Sequence, residues 1–99
     1  MIVEITNYYA VAEQAAAVLV QRRRASAIRA QLGLPPGKIF SKLEGAGPDV
    51  RWECTFATRA DYDEDVAARA ASTEFAAARR AMHLLLERFE RHLQQDADA

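Results

Sequence analysis

One alternating stretch decides the fold: Asp49-Val50-Arg51-Trp52-Glu53-Cys54-Thr55-Phe56. Its apolar residues fall at every second position, and the polar residues between them point the other way. A period of two with aromatic and β-branched residues is typical of a strand that is buried on one face. We therefore predict that this stretch is the central strand of a small sheet, with helices packed on the face that carries Trp52.

The segments before this strand predict two more strands and a helix. Residues 2–9 alternate and predict a first strand, whereas residues 11–32 are rich in helix-forming Ala, Gln and Arg. Gly33 is expected to end that helix. Residues 38–44 predict a second strand, and the turn residues 45–49 join it to the central strand. The second and third strands therefore form an antiparallel hairpin.

Two helix starts are visible in the second half of the chain. Thr58 is a candidate N-cap for a short helix that reaches about Ala70, and Ser72 is a candidate N-cap for a longer one. Residues 84–95 leave two alternatives open. Their helical propensity favours a continued helix, whereas the topology favours a short strand near residues 88–93.

The order β-α-β-β-α, with a possible final β, predicts a single α+β domain. Right-handed crossovers give a ferredoxin-like sandwich over residues 1–95, with the helices on one face of an antiparallel sheet. Residues 96–99 are predicted to be a disordered tail.

Composition argues against several classes of protein. A net charge of −1 argues against nucleic-acid binding, which needs a strongly basic face. One cysteine cannot form an internal disulfide and fits a reducing compartment. No signal peptide and no membrane-spanning run are visible, so we expect a cytoplasmic protein with no membrane contact.

Local sequence features add to this element order. They are the opening strand Met1-Ile2-Val3-Glu4-Ile5, the aromatic pair Tyr8-Tyr9, the Trp52-Glu53 strand and the helix start Ala71-Ser72-Thr73-Glu74-Phe75. Together they resemble the dimeric α/β-barrel superfamily, and most closely its small NIPSNAP-type members. The resemblance implies a homodimer whose two sheets pack face to face, with a ligand pocket between each sheet and its own helices. The superfamily includes cofactor-free monooxygenases, lactone isomerases, cyclases, haem-handling enzymes and proteins with no known reaction.

The predicted dimer interface is the sheet face away from the helices. Alternation places these residues on it: Glu4, Thr6, Tyr8, Phe40, Lys42, Arg51, Glu53 and Thr55. Tyr8 and Phe40 are expected near its centre, because an open sheet face gives a monomer no reason to expose aromatic side chains.

Arg23 is the first candidate for a catalytic or ligand-anchoring residue. It falls on a stripe of the first helix that should face the sheet, formed by Ala12, Ala16, Leu19, Arg23, Ala27 and Ala30. A guanidinium there could anchor an anionic or enolate-like ligand. Alternatively, its stem lies along the core edge and its head reaches water. Arg22, Arg24 and Arg29 fall elsewhere around the helix and are expected in solvent.

The remaining candidates lie on strands and on the last helix. Asn7, Tyr9 and Trp52 are predicted to bind a ligand, although Asn7 could instead bind backbone and Trp52 could be core. His83 is a candidate general base, or else an exposed helix residue. Cys54 is expected to be a buried small hydrophobe.

No arrangement of ligating residues predicts a metal site, and no phosphate-binding loop or other cofactor motif is visible. The preferred hypothesis is therefore a homodimer with a small-molecule pocket. As an enzyme it would be cofactor-independent and would act on a small aromatic, polyketide-like or lactone-type metabolite. The alternative is a non-catalytic dimerisation or ligand-binding module.

Overall fold

The computed structural model describes residues 1–98 as a four-stranded antiparallel sheet with three helices. The strands are β1 (Ile2–Ala10), β2 (Lys38–Ser41), β3 (Val50–Phe56) and β4 (Leu86–Gln95), and the helices are α1 (Ala15–Gln31), α2 (Arg59–Ala70) and α3 (Thr73–His83). The strand order is β2-β3-β1-β4. This is the predicted ferredoxin-like α+β fold.

β3 occupies an interior position of the sheet, as its alternating sequence predicts. It pairs with β2 on one side and with β1 on the other, so that Trp52 stands beside Ile39 and Thr6. Its four apolar side chains are all buried in the main core: Val50, Trp52, Cys54 and Phe56. The predicted hairpin between β2 and β3 is confirmed.

The open question about the end of the chain is settled in favour of a strand. Helix α3 ends at His83, and β4 then runs antiparallel along β1. Without β4, the second edge of β1 would leave its backbone groups unpaired. Pairing along the whole of β1 therefore outweighs the helical propensity of this segment.

The two predicted N-caps are confirmed. The Thr58 hydroxyl accepts a hydrogen bond from the backbone N–H of Asp61 at 3.1 Å, and the Ser72 hydroxyl accepts one from the N–H of Phe75 at 3.1 Å. Each cap satisfies a backbone donor that has no partner within the helix.

The prediction of which face of β1 is buried was wrong. Glu4, Thr6 and Tyr8 pair with Cys54, Trp52 and Val50, so they face the helices and are buried. The alternation in β1 was ambiguous because each face mixes apolar and polar residues. The outer face of the sheet carries instead Val3, Ile5, Asn7, Tyr9, Phe40, Arg51, Glu53, Thr55, Arg88, Glu90 and His92.

The predicted buried stripe of α1 was also wrong, because it lies one residue away. The buried positions are Val18, Arg22, Ala25, Ser26, Ile28 and Arg29, whereas Arg23 is exposed. Arg22 and Arg29 are thus core residues, not solvated ones. The error arose because the stripe with two arginines was expected to face solvent, although a guanidinium can be buried when it is stacked or paired.

The structure bears only in part on two predictions for the whole chain, one about its tail and one about membrane contact. The predicted disordered tail, residues 96–99, includes Ala99, which lies outside the described residues, so its disorder stays a prediction. Among residues 1–98, none of the helices combines the length and the apolar character that a membrane crossing requires.

Gly37 provides a test of how tightly the edge of the core is packed. A Cβ added there would lie 2.7 Å from the Glu53 carbonyl oxygen and closer still to the Trp52 indole nitrogen. Gly33 has the same φ of +76° but open space around it. We expect Gly33→Ala to lower the free energy of unfolding by about 1 kcal/mol through backbone strain alone. Gly37→Ala should cost a further 1–3 kcal/mol, roughly the cost of overpacking.

Urea denaturation of both variants measures the difference. Equal losses for the two variants would show that the Trp52 ring and its surroundings make room for the added Cβ at no cost in stability.

Candidate functional site

A cavity of about 60 Å³ lies between the inner face of the sheet and helices α1 and α3. Its wall combines apolar side chains with an unusual number of cations. The lining residues are Glu4, Thr6, Tyr8, Gln21, Arg22, Ala25, Trp52, Arg69, Phe75, Ala78, Arg79, Met82, His83, Phe89 and Arg91. Among residues 1–98, four arginines and one carboxylate, that of Glu4, therefore line this space.

Trp52 forms the base of this arrangement. The guanidinium carbons of Arg22 and Arg29 lie 4.5 and 4.8 Å from its ring centroid, within the range of cation–π attraction. The two arginines are two helical turns apart, so they project from the same face of α1. The indole N–H donates to the Pro36 carbonyl at 2.9 Å, which fixes the ring and leaves that donor occupied.

Arg29 is held by a complete set of partners. Its two terminal nitrogens donate to the two Asp65 carboxylate oxygens at 2.9 and 2.6 Å, and its Nε donates to the Pro35 carbonyl at 2.8 Å. Both side chains of this ion pair are almost completely buried. Arg29 therefore links α1 to α2, and we assign it a structural role.

Glu4 is the second buried carboxylate, and two arginines neutralise it. Arg69 binds it through two parallel hydrogen bonds of 2.9 and 3.0 Å, and the Nε of Arg91 lies 2.8 Å from its Oε2. Desolvation lowers the pKa of Arg69, but the hydrogen bond and charge of Glu4 outweigh it, so the net shift is upward. Arg91 also donates to the Tyr62 hydroxyl at 3.0 Å. This set joins β1, β4 and α2.

Arg22 differs from these arginines because no carboxylate lies beside it within residues 1–98. Its terminal nitrogens donate to the Tyr8 hydroxyl at 2.9 Å and to the Ser26 hydroxyl at 3.3 Å. Its Nε is buried and has no hydrogen-bond partner in the part of the chain that the structure describes. The side chain is only 4% exposed, and desolvation lowers its pKa. Arg22 is thus a desolvated cation at the cavity wall with spare hydrogen-bonding capacity.

Only some of the residues predicted for the site lie together in the structure. Trp52 and His83 line the cavity, but Arg23 is exposed and does not. His83 is exposed at the cavity rim, where its ring packs edge-on against Phe89 at 5.2 Å. Asn7 and Tyr9 lie on the opposite face of the sheet and donate to Glu90 at 3.5 and 2.9 Å.

Sequence reasoning missed Arg22, Tyr8 and Glu4 as site residues. A stripe at positions 18, 22, 25 and 29 has the same helical spacing as the one that was chosen. It contains Val18 and two arginines seven residues apart, and that regular spacing was the available signal. Tyr8 and Glu4 were missed because their strand was assigned the opposite orientation.

Other groups in the core show no arrangement for chemistry. Within residues 1–98, no three His, Cys, Asp or Glu side chains lie close enough together to hold a metal ion. Cys54 is free and buried, and burial raises the pKa of its thiol. The Cys54 sulfur lies 3.7 Å from Arg29, whose charge only partly opposes that shift.

The comparisons with known proteins concern the fold. No family model and no curated protein matches the chain. Among solved structures, a NIPSNAP family protein from Agrobacterium tumefaciens str. C58 aligns with a TM-score of 0.79 at 23% identity, covering 98% of this chain and 86% of its own. The chain therefore shares the NIPSNAP-type fold that its sequence resembles.

Two further structures show how widely this fold is used. A dimeric protein of unknown function from Bacteroides fragilis, with a ferredoxin-like fold, has a TM-score of 0.72 at 14% identity and covers 96% of this chain and 95% of its own. An antibiotic biosynthesis monooxygenase has a TM-score of 0.74 at 16% identity and covers 98% and 99%. At these identities the likeness concerns architecture.

The pair of Arg29 and Asp65 predicts a large difference between two aspartates of α2. Asp65→Ala would leave the Arg29 guanidinium buried without its carboxylate, which should lower the free energy of unfolding by about 3–5 kcal/mol. Asp63→Ala removes an exposed partner of Arg59 and should cost less than about 1 kcal/mol. Thermal and urea denaturation compare the two, and losses of similar size would contradict the assignment of Arg29 to the fold.

Proposed function

We propose that this chain is a homodimer that binds a small organic anion between its sheet and its helices, with Arg22 as the anchor. We further propose that it is a cofactor-independent enzyme for a small aromatic or polyketide-like metabolite. The observation that carries the proposal is the buried Arg22 guanidinium, which has no carboxylate beside it within residues 1–98.

The charge of Arg22 supports an anionic ligand. A buried cation that is paired only with neutral hydroxyls keeps much of its desolvation cost, and an entering anion offsets that cost. The planar guanidinium suits a carboxylate or an enolate, because both present oxygen acceptors in one plane. The Tyr8 hydroxyl accepts from Arg22 at 2.9 Å and keeps its own proton free to donate to the same ligand.

The size of the cavity limits what can be enclosed. A volume of about 60 Å³ is well below the ~150 Å³ that holds a benzene ring in another protein. The charged head of the ligand and a few further atoms would be enclosed, and its body would extend past the rim. Phe75 and Phe89 line the cavity and offer aromatic surface to that body.

In the proposed enzyme, Arg22 and His83 would have different roles. Arg22 would stabilise the negative charge of an enolate as it develops, in a site from which water is largely removed. His83, at the cavity rim, would accept the proton from the substrate carbon and release it to solvent. No cofactor enters this step.

The second candidate function is a non-catalytic ligand-binding module. It is favoured by the setting of His83, whose imidazole is exposed and donates no orienting hydrogen bond to any group within residues 1–98. A general base usually needs such a partner to fix its ring. Slowed turnover in His83→Gln, with unchanged ligand affinity, would favour the enzyme, whereas binding without any turnover would favour the module.

Ligand binding at Arg22 can be tested by thermal shift with benzoate. We expect benzoate to raise the melting temperature of the wild-type protein by mass action and to do so better than neutral benzamide. Arg22→Met should weaken benzoate binding by about tenfold or more, because a charge-assisted hydrogen bond is worth roughly 1.5–3 kcal/mol.

Arg23→Met is the matched control. It removes the same charge one residue away, but from a side chain that is exposed and outside the cavity. Benzoate binding that is equally weak in both variants, or equally strong, would exclude Arg22 as the anchor.

The outer face of the sheet supports the homodimer. It carries apolar and aromatic side chains that no helix covers, and Phe40 there is 46% exposed. The Asn7 side-chain oxygen on this face is buried, and no group of residues 1–98 donates a hydrogen bond to it, so a second subunit could supply a donor. A similar fold from Bacteroides fragilis is described as dimeric. A one-layer sheet packed against a second copy would cover this face.

The dimer predicts a concentration-dependent assembly that one substitution disrupts. Sedimentation of the wild-type chain at micromolar concentration should give twice the mass of 11.0 kDa. Phe40→Asp should dissociate this species, because it places a charge in an apolar contact. Leu43→Asp, in the exposed segment after β2, makes a similar change away from the sheet face and should leave the dimer intact. A wild-type monomer would refute the proposal.

The proposed location is the cytoplasm. The only cysteine of the chain is free and buried, which suits a compartment that keeps thiols reduced.

A further inference from the structure

We propose that the ligand carries two anionic groups, with the first bound at Arg22 inside the cavity and the second at Arg79 outside it. This inference rests on the proposed function and narrows its substrate class to organic dianions. The second group is a carboxylate or a phosphate-type oxyanion, since both present the oxygen acceptors that a guanidinium binds.

The cavity continues into an outer groove. A more open space of about 350 Å³ lies along α3 and shares with the cavity the wall residues Arg69, Phe75, Arg79 and His83. A ligand whose head is enclosed at Arg22 can therefore leave the cavity past these side chains. Phe75 is 9% exposed and presents apolar surface along this route.

Two arginines of the cavity wall are paired with a carboxylate, and two are not. Arg69 and Arg91 share the carboxylate of Glu4. Arg22 and Arg79 have no carboxylate within 4 Å in the part of the chain that the structure describes. Two arginines are therefore left without a carboxylate partner, one deeply buried and one at the rim. A ligand with one negative charge would neutralise only one of them.

Interaction with the helix dipole does not explain why an arginine lies at position 79 of α3. Cations are favoured in the last turn of a helix because they interact with its dipole. Arg80 and His83 lie in that last turn, whereas Arg79 precedes it. Arg80 lines only the outer groove, whereas Arg79 lines both the groove and the cavity. Arg69 also lines both spaces but is paired with Glu4, so Arg79 is the arginine at this passage that has no carboxylate within 4 Å among residues 1–98.

The experiment compares ligands that share a ring but differ in the second charge. Calorimetric titration of the full chain would use benzoate, isophthalate, terephthalate, monomethyl terephthalate and 4-phosphonobenzoate. We expect the better of the two dicarboxylates to bind roughly fivefold more tightly than benzoate or the monoester, as befits an exposed ion pair. Comparison with 4-phosphonobenzoate decides between carboxylate and phosphate-type groups.

Two variants test whether Arg79 binds the second anionic group of the ligand. Arg79→Gln should abolish the preference for the dianion, so that the ratio of its affinity to that of benzoate falls to about one. Arg23→Gln, an equal loss of charge elsewhere on the surface, should preserve the preference for the dianion. Added salt should weaken that preference in the wild type, because the contact at the rim is screened more than the buried one.

The outcomes separate this inference from the proposed function. If benzoate binds through Arg22 but no dianion binds more tightly than the monoester, the second site is refuted and the pocket stands. A preference for dianions that survives in Arg79→Gln also refutes it. If none of the five compounds binds, both the second site and the anion pocket are refuted.

Discussion

The stacking of two guanidiniums on one indole ring is the contact on which the rest of the structure depends. The indole N–H of Trp52 is held by its hydrogen bond to the Pro36 carbonyl, and Arg22 and Arg29 approach the ring from α1. Two like charges on the same ring repel each other unless one of them is neutralised. Asp65 neutralises Arg29 and thereby anchors α2 to the core. No carboxylate within residues 1–98 lies within 4 Å of Arg22, and this difference between the two arginines separates a structural residue from a candidate site residue.

Much of the fold could be predicted because its strands follow the simplest pattern. β3 alternates strictly, so its buried face and its hairpin with β2 were predicted correctly, and the Thr58 and Ser72 caps marked two helices. The fourth strand could not be decided locally, since segment 86–95 has helical propensity. Only the free edge of β1, a feature of the assembled sheet, selects the strand.

Trp52 and His83 of the candidate site were predicted, whereas its buried charges escaped prediction for one physical reason. Pattern analysis assumes that charged residues face water, and this core contains charges that are stacked or paired. Glu4 is 1% exposed because Arg69 and Arg91 bind it, and that burial reverses the expected orientation of β1. In α1 the same assumption favoured the stripe with one arginine, Arg23, over the buried stripe with two, Arg22 and Arg29. The partners lie far apart in the sequence, so no local window contains them.

The strand β1 links the two surfaces to which functions are proposed. Glu4 and Tyr8 point inward to the cavity, whereas Ile5 and Asn7 point outward to the face where a second subunit would pack. Successive residues of a strand share one backbone, so a shift of β1 that adjusts one surface moves the other as well. β4 repeats the arrangement, because Arg91 binds Glu4 inside while its neighbour Glu90 binds Tyr9 outside. In the proposed dimer, an anion that draws Arg22 and Tyr8 together would therefore act directly on the strand that forms the centre of the interface.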